Sequence, residues 1–144
     1  MSRTTLFLAL IMILSSTCHI FADEVLWDKL QDRAAILYQQ QKYDEAVKLQ
    51  REALEVSKKT FGPEDNKVAE SMDNLAVYLH ATGNNIEAEE LYDKALAILE
   101  KNLKPNDRYL AIFMNYLASF YRNIGKEDKA KILEERARKI RKTK

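Results

Sequence analysis

Side chains that could carry catalytic or metal-binding chemistry are scarce in this sequence of 144 residues. His80 is one of two histidines, and Cys18 is the single cysteine. A zinc site with nitrogen or sulfur ligands needs more such side chains than these. The three glycines stand far apart, at positions 62, 83 and 125, and therefore cannot form a glycine-rich phosphate loop. We expect that the chain is not an enzyme and that it uses neither a metal nor a cofactor.

Small and apolar residues instead recur at an interval of 42 residues, which indicates the elements that build the fold. Four series share this interval: Ala34, Ala76 and Ala118; Ala46, Ala88 and Ala130; Leu49, Leu91 and Leu133; Ala53, Ala95 and Ala137. A fixed period of this size is typical of stacked repeats, in which each unit buries an apolar face against the next. The period therefore predicts a repeat architecture and favours a binding surface over an active site.

Within each unit, apolar residues recur every three or four positions, as Leu91, Ala95 and Leu99 illustrate. This spacing is typical of amphipathic helices, and no stretch has a convincing strand pattern. We therefore predict an all-α fold, an α-solenoid of three stacked helical hairpins. The six helices are expected near residues 24–40, 43–61, 66–82, 85–103, 108–124 and 127–142.

Glycine, proline and aspartate mark the predicted helix ends. Gly83 and Gly125 can adopt the left-handed conformation that ends a helix. Pro63 cannot continue a helix, and Asp65 just after it can cap the next one. The same proline and aspartate pair returns 42 residues later. These breaks place the three repeats near residues 24–65, 66–107 and 108–144.

The first 22 residues have the composition of a secretory signal peptide. Arg3 is their only charged residue, Leu6–Leu14 is an apolar run, and the small residue Ala22 precedes an acidic pair. A basic start, an apolar centre and a small exit residue are typical of an export signal. We predict cleavage after Ala22, which divides the chain into a signal peptide, residues 1–22, and a repeat domain, residues 23–144.

Two alternatives to simple cleavage stay open. The uncharged stretch Thr4–Ala22 would span roughly 28 Å as a helix, close to the thickness of a bilayer core, and would anchor the chain if it were retained. Cys18 could carry the lipid of a bacterial lipoprotein, although Thr17 before it fits that pattern poorly. The predicted location is secreted or periplasmic after cleavage, and membrane-anchored without it.

Several segments resemble a tetratricopeptide repeat. They are Leu75-Ala76, Gly83-Asn84-Asn85, Glu87–Tyr92 and Ala95-Leu96 in the second unit, and Leu117-Ala118, Gly125-Lys126-Glu127 and Ala130 in the third. The period of 42 and the segment Val68–Ala76 are similar to the longer kinesin-light-chain subtype. The first unit fits less well, because Gln41 stands where the glycine is expected. The resemblance implies a module that binds other proteins, and it does not identify the partner.

The resemblance also implies that the first helix of each hairpin lines a concave surface on which a partner would bind. Seven residues are predicted as this binding site: Asp73, Asn74, His80, Ile112, Asn115, Tyr116 and Arg122. The amides of Asn74, Asn115 and Asn123 could bond a ligand's main chain, since an amide both donates and accepts hydrogen bonds. Ile112 and Tyr116 could form an apolar pocket beside Arg122. Neighbouring aromatic residues such as Phe120 are expected in the core.

We therefore expect an exported, non-catalytic module that binds a peptide or helix of a protein partner. One alternative is self-association into a homo-oligomer. Six basic side chains and no acidic one follow from Arg136 onward, and this tail would dock in a neighbour's acidic groove around Asp28, Glu70 and Asp73. The other alternative is a membrane adaptor that keeps its signal segment. No nucleic-acid partner is expected.

Overall fold

The computed structural model describes the backbone of residues 3–142 and the side chains of residues 20–142. The described backbone forms α1 (Arg3–Gln39), α2 (Tyr43–Phe61), α3 (Asn66–Ala81), α4 (Asn85–Asn102), α5 (Arg108–Asn123) and α6 (Glu127–Lys142). This part of the chain contains no strand. The helices pack in consecutive pairs as hairpins, α1 with α2, α3 with α4 and α5 with α6, and the hairpins stack in chain order. The predicted all-α solenoid of three hairpins is confirmed.

Helices α2 to α6 end within one residue of their predicted bounds, whereas α1 begins at Arg3 rather than near residue 24. The physical reason is that residues 3–39 contain neither glycine nor proline, so neither of the strongest helix breakers interrupts α1. The apolar run Leu6–Leu14, on which the export prediction depends, lies outside the described side chains. Among the described residues, no helix is both long and apolar enough to cross a membrane.

The predicted aspartate caps are present at the starts of α3 and α5. The Asp65 carboxylate accepts a hydrogen bond of 2.8 Å from the backbone N–H of Lys67. Asp107 accepts the equivalent bond, also 2.8 Å, from the N–H of Tyr109. Each cap satisfies a backbone donor that has no partner within its helix, and so it fixes where the helix begins.

The repeated alanines form the contact surfaces between helices. All nine are fully buried: Ala34, Ala76, Ala118, Ala46, Ala88, Ala130, Ala53, Ala95 and Ala137. A methyl side chain keeps the distance between two packed helices short, which lets the larger leucines and aromatic residues fill the remaining space. The same helix contacts therefore recur every 42 residues of sequence, once in each hairpin of the stack.

A left-handed residue ends the first helix of every hairpin. Gly83 and Gly125 have φ values of +83° and +78°, and Gln41 has φ of +61° at the equivalent position of the first hairpin. A side chain in this conformation costs about 1–2 kcal/mol, because its Cβ approaches the following carbonyl oxygen. The first repeat therefore forms the same left-handed turn with Gln41, although glycine would adopt this conformation without strain.

Replacing Gln41 by glycine is expected to stabilise the protein by about 1 kcal/mol, because glycine adopts this backbone conformation without strain. Thermal melting measures the change, with Gln40→Gly as the matched control. Gln40 has no left-handed φ, so glycine there should only add flexibility to the unfolded chain. A melting temperature that fell in both variants would contradict the strain at Gln41.

Candidate partner-binding groove

A cavity of about 350 Å³ lies between the second and third hairpins, and we refer to it as the α3–α5 cavity. Helix α3 and helix α5 form its two sides, and one residue of α4 forms its base. Its lining consists of Asp73, Val77, His80, Tyr92, Tyr116, Ser119, Phe120 and Asn123. Three of the seven predicted site residues, Asp73, His80 and Tyr116, are thus brought together in one cavity.

The cavity is present because bulky residues separate the second and third hairpins. Between the first two hairpins, the small Ser71 faces Gln50, whose amide donates a 3.2 Å hydrogen bond to the Ser71 carbonyl oxygen. One repeat later these positions hold Phe113 and Tyr92, whose ring centres lie 6.4 Å apart. Accordingly, α4 meets α5 less closely than α2 meets α3. Aromatic rings at these two repeat positions therefore leave room for a ligand between α3 and α5.

Among the described residues, Asp73 is the only acidic one that lines the cavity. Burial raises the pKa of its carboxyl group to about 6, and the negative charge of Glu70 nearby adds to this effect. Within the described residues, its carboxylate accepts no hydrogen bond and forms no ion pair with a cation. At neutral pH the cavity therefore contains a poorly solvated negative charge.

The ring of His80 is held in one orientation by two contacts. Its Nδ1 lies 2.7 Å from the Oδ1 atom of Asn85, and its ring meets Phe120 edge-on at 5.2 Å between centres. An amide oxygen can only accept, so with this amide orientation Nδ1 carries the hydrogen. In the neutral ring, Nε2 is then an acceptor available at the cavity.

Aromatic rings form the apolar part of the lining. The rings of Tyr92 and Phe120 lie 4.9 Å apart, and both residues are buried. Burial, together with the negative charge of Asp73, raises the pKa of the Tyr92 hydroxyl well above its usual value, so this group stays neutral. Tyr116 is 66% exposed and forms the rim of the cavity.

Ile112 does not line the cavity but continues its apolar surface along α5. Tyr109, Ile112 and Tyr116 follow one another at helical spacing and are 45%, 42% and 66% exposed. Burial raises the pKa of Tyr109, and the negative charges of Asp73 and Glu70 on α3 add to this effect. We refer to Tyr109, Ile112 and Tyr116 as the α5 stripe.

The other three predicted site residues are engaged within the chain. The Asn74 amide donates a 2.8 Å hydrogen bond to Gln31 Oε1 on α1. The Asn115 amide donates a 2.7 Å bond to the carbonyl oxygen of Ala111 in its own helix. Arg122 contacts α6, where its Nη2 lies 2.6 Å from a Glu134 carboxylate oxygen. Among the described residues, Arg122 pairs with Glu134 on α6 and does not line the α3–α5 cavity.

Five of the eight residues that line the cavity are not among the seven predicted site residues: Val77, Tyr92, Ser119, Phe120 and Asn123. Tyr92 lies on α4, a second helix of its hairpin, and Phe120 was expected in the core. Phe120 is indeed buried, yet its ring also faces the cavity. The repeat register contained a signal for Tyr92, because its equivalent in the first repeat is the polar Gln50.

Known proteins with the same architecture place these features in a family. A family model described as the tetratricopeptide repeat matches residues 28–101 and again residues 68–143. Together the two matches cover well over half of the chain. None of the curated proteins is significantly similar to it in sequence.

Solved structures give the same assignment. A Podosopora anserina structure described as a kinesin light chain with nearly identical TPR-like repeats superposes with a TM-score of 0.72 at 26% identity, over 81% of this chain and 55% of that one. BtubC (BKLC) from P. vanneervenii has a TM-score of 0.70 at 28% identity, over 80% of this chain and 46% of that one. The chain thus spans about half the length of these two relatives.

The TPR domain of Arabidopsis FLU matches 85% of this chain and 99% of its own, with a TM-score of 0.70. Its identity of 17% supports the likeness of fold alone. The family model, the three hairpins and the similar solved structures agree with one another. The chain belongs to the tetratricopeptide repeat family, and its repeats are similar to those of kinesin light chains.

Proposed function

We propose that this chain is an exported, non-catalytic module that binds a peptide or helix of a partner protein in the α3–α5 cavity. Members of its family are in general scaffolds that bind other proteins rather than enzymes. The observation that carries the proposal is the cavity itself, which combines an apolar lining with a few polar groups. This combination is typical of ligand sites that exist before the ligand arrives.

The α5 stripe supports the same surface. Its three large side chains are exposed side by side and adjoin the cavity at Tyr116. Contiguous apolar groups at the surface favour burial by a partner, because water is released when they are covered. A peptide that fills the cavity would therefore extend along α5 toward Tyr109.

A wider depression of about 760 Å³ lies at the turn between α2 and α3 and is a weaker candidate. Its lining is mostly polar, and its groups bond one another across the turn. Asn102 donates a 2.6 Å hydrogen bond to the carbonyl oxygen of Glu64, and Lys101 pairs with the Glu64 carboxylate. A partner there would have to replace bonds that the chain already makes.

The self-association alternative has less support in the contacts of the basic tail. Arg136 pairs with Glu100 on α4, and Arg138 pairs with Glu135 within α6. These exposed pairs are individually weak, but they offset part of the positive charge that would attract a neighbouring molecule's acidic groove. The tail is therefore a less suitable ligand than its sequence alone indicates.

The export part of the proposal is supported by the residues on either side of Ala22. Ile20 and Phe21 are 50% and 69% exposed, and the first buried side chain among those described is Trp27. Cleavage would therefore remove two exposed apolar side chains and leave that tryptophan in place. Asp23 and the residue after it would then form the first turn of α1, where carboxylates are favourable.

The exported protein is expected to begin at Asp23, which N-terminal sequencing of the secreted or periplasmic fraction measures. Recovery of intact Met1 in a membrane fraction would contradict cleavage and support the anchored alternative. A first residue at Cys18 that carries a lipid would instead support the lipoprotein alternative.

The binding part can be tested with peptides selected from a random phage-displayed library on the immobilised protein. The selected peptides are then titrated into isotope-labelled protein, and changes in backbone amide shifts are recorded. We expect the changes to cluster on α3 and α5 around the cavity. Changes confined to α2, α4 and α6, or no selected peptide that binds in solution, would contradict the proposal.

A further inference from the structure

We propose that the α3–α5 cavity selects a lysine or arginine side chain of the partner, with the cationic head paired to Asp73 and the alkyl stem against the aromatic rings. This inference rests on the proposed function, since it names the chemistry of the side chain that enters the same cavity. The supporting observations are the types of side chain that line the cavity and the charges of these side chains.

The charge of the cavity favours a cation. Among the lining residues Asp73 is the acid, and no lysine or arginine is present. Arg122, one helical turn from Ser119, pairs with Glu127 and Glu134 instead. A positively charged ligand group would therefore supply the counter-ion that none of the described side chains supplies. Because Asp73 is largely buried, this pairing would be screened less than an ion pair at the surface.

The aromatic residues favour a cation with an alkyl stem. Tyr92 and Phe120 lie 4.9 Å apart at the base of the cavity, and Tyr116 stands at its rim. The faces of such rings attract ammonium and guanidinium groups, and their apolar bodies cover the methylene stem. The chain already shows this interaction elsewhere, because the Lys67 ammonium lies 4.4 Å from the ring centre of Phe61.

The cavity also contains hydrogen-bond acceptors with which the N–H donors of a lysine or arginine side chain could pair. The cavity contains the Asp73 carboxylate, the Nε2 atom of His80 and the side-chain oxygens of Ser119 and Asn123. An ammonium group has three donors and a guanidinium has five, with no acceptor in either. An acidic ligand would instead bring its carboxylate close to Asp73 and Glu70, and like charges would oppose binding.

The probes that test this inference differ only in the end of one side chain. They are Nα-acetyl-lysine methylamide and its neutral counterpart Nα-acetyl-norleucine methylamide, each titrated into the isotope-labelled full chain. At pH 7.5 we expect shift changes around Asp73, His80 and Tyr116 with both probes. The dissociation constant should be at least about fivefold lower for the lysine probe.

Variants identify the group responsible for the preference. Asp73→Asn keeps the side-chain shape and removes the charge, so it should abolish the preference for the lysine probe. Glu90→Gln is the matched control, because Glu90 is exposed on α4 and does not line the cavity. A preference that survived Asp73→Asn would overturn the inference.

A pH series tests the same point without any substitution. The pKa of Asp73 is about 6, so the preference should weaken as the pH falls from 7.5 to 5.0 and the carboxylate becomes protonated. The other titratable groups around Asp73 are Glu70, Tyr78 and His80 on α3, Tyr92 on α4, and Tyr109 and Tyr116 on α5. Repeating the series with His80→Gln separates the contribution of the imidazole. A preference that did not change with pH in either protein would contradict a role for the carboxylate.

The outcomes distinguish this inference from the proposed function. Equal binding of the two probes at the cavity would overturn the selection of a cation and leave the peptide groove intact. Absence of shift changes with both probes, together with no change on α3 and α5 from any selected peptide, would overturn both proposals.

Discussion

Replacing Ala88 by leucine is expected to lower the melting temperature of this protein by about 5–15 °C. The alanine is completely buried in the core that the three hairpins share, and the same position is an alanine in all three repeats. Three additional carbon atoms would have to push α4 away from its neighbours. Overpacking of this kind costs about 1–3 kcal/mol, which is a large share of a total stability of roughly 5–15 kcal/mol.

Ala97→Leu provides the matched control, because Ala97 is exposed on the same helix. The same substitution there should change the melting temperature by no more than about 2 °C, since leucine is a good helix former and meets no neighbour. Circular dichroism measures both variants. Equal melting temperatures for the two would contradict the assignment of the alanine series to the helix contacts.

The fold was predictable because its causes are local and repeated. In each alanine series, the same buried helix contact occurs three times. Asp65 and Asp107 mark two helix starts, which the structure confirms. The start of α1 was the exception. Residues 3–39 contain neither glycine nor proline, so neither of the strongest helix breakers stops α1 before residue 24. A processing signal and a helix boundary are different properties, so the first does not locate the second.

The candidate site was predictable only in part. Helical register placed Asp73 and His80 on one side of α3 and Tyr116 on the facing side of α5, and all three line the cavity. Helical register predicts the direction in which a side chain points from its helix. It does not predict which residue that side chain will contact. Asn74 therefore could not be excluded from its position alone, because its bond to Gln31 reaches across 43 residues of sequence.

Long side chains are the least predictable members of the site. Arg122 leaves α5 next to Asn123 of the cavity lining, yet the guanidinium extends to Glu127 and Glu134 on α6. Both acidic residues can be read from the sequence, but the flexible arginine side chain can reach several acceptors. The packing of the helices determines which of these acceptors it contacts. The position of Arg122 matters, because no lysine or arginine among the described side chains pairs with Asp73.

Tyr116→Ala is expected to weaken the binding of cavity-directed peptides by at least about 30-fold while the stability of the free protein hardly changes. The side chain is 66% exposed in the absence of a ligand, so its removal leaves no cavity in the core. In a complex the peptide would cover this ring together with the rest of the α5 stripe, and truncating such an anchor often costs about 2 kcal/mol or more. Two kilocalories correspond to roughly a 30-fold change in the dissociation constant.

Calorimetric titration with the selected peptides measures this loss, and Ile86→Ala is its control. Ile86 is also a largely exposed apolar side chain, at 78%, but it lies on α4 and does not line the cavity. Its truncation should change peptide affinity by less than about twofold, because scattered apolar groups at the surface contribute little unless a partner buries them. If Ile86→Ala weakened binding as much as Tyr116→Ala, or if neither did, the binding face would lie away from α3 and α5, and the proposed function would need a different surface.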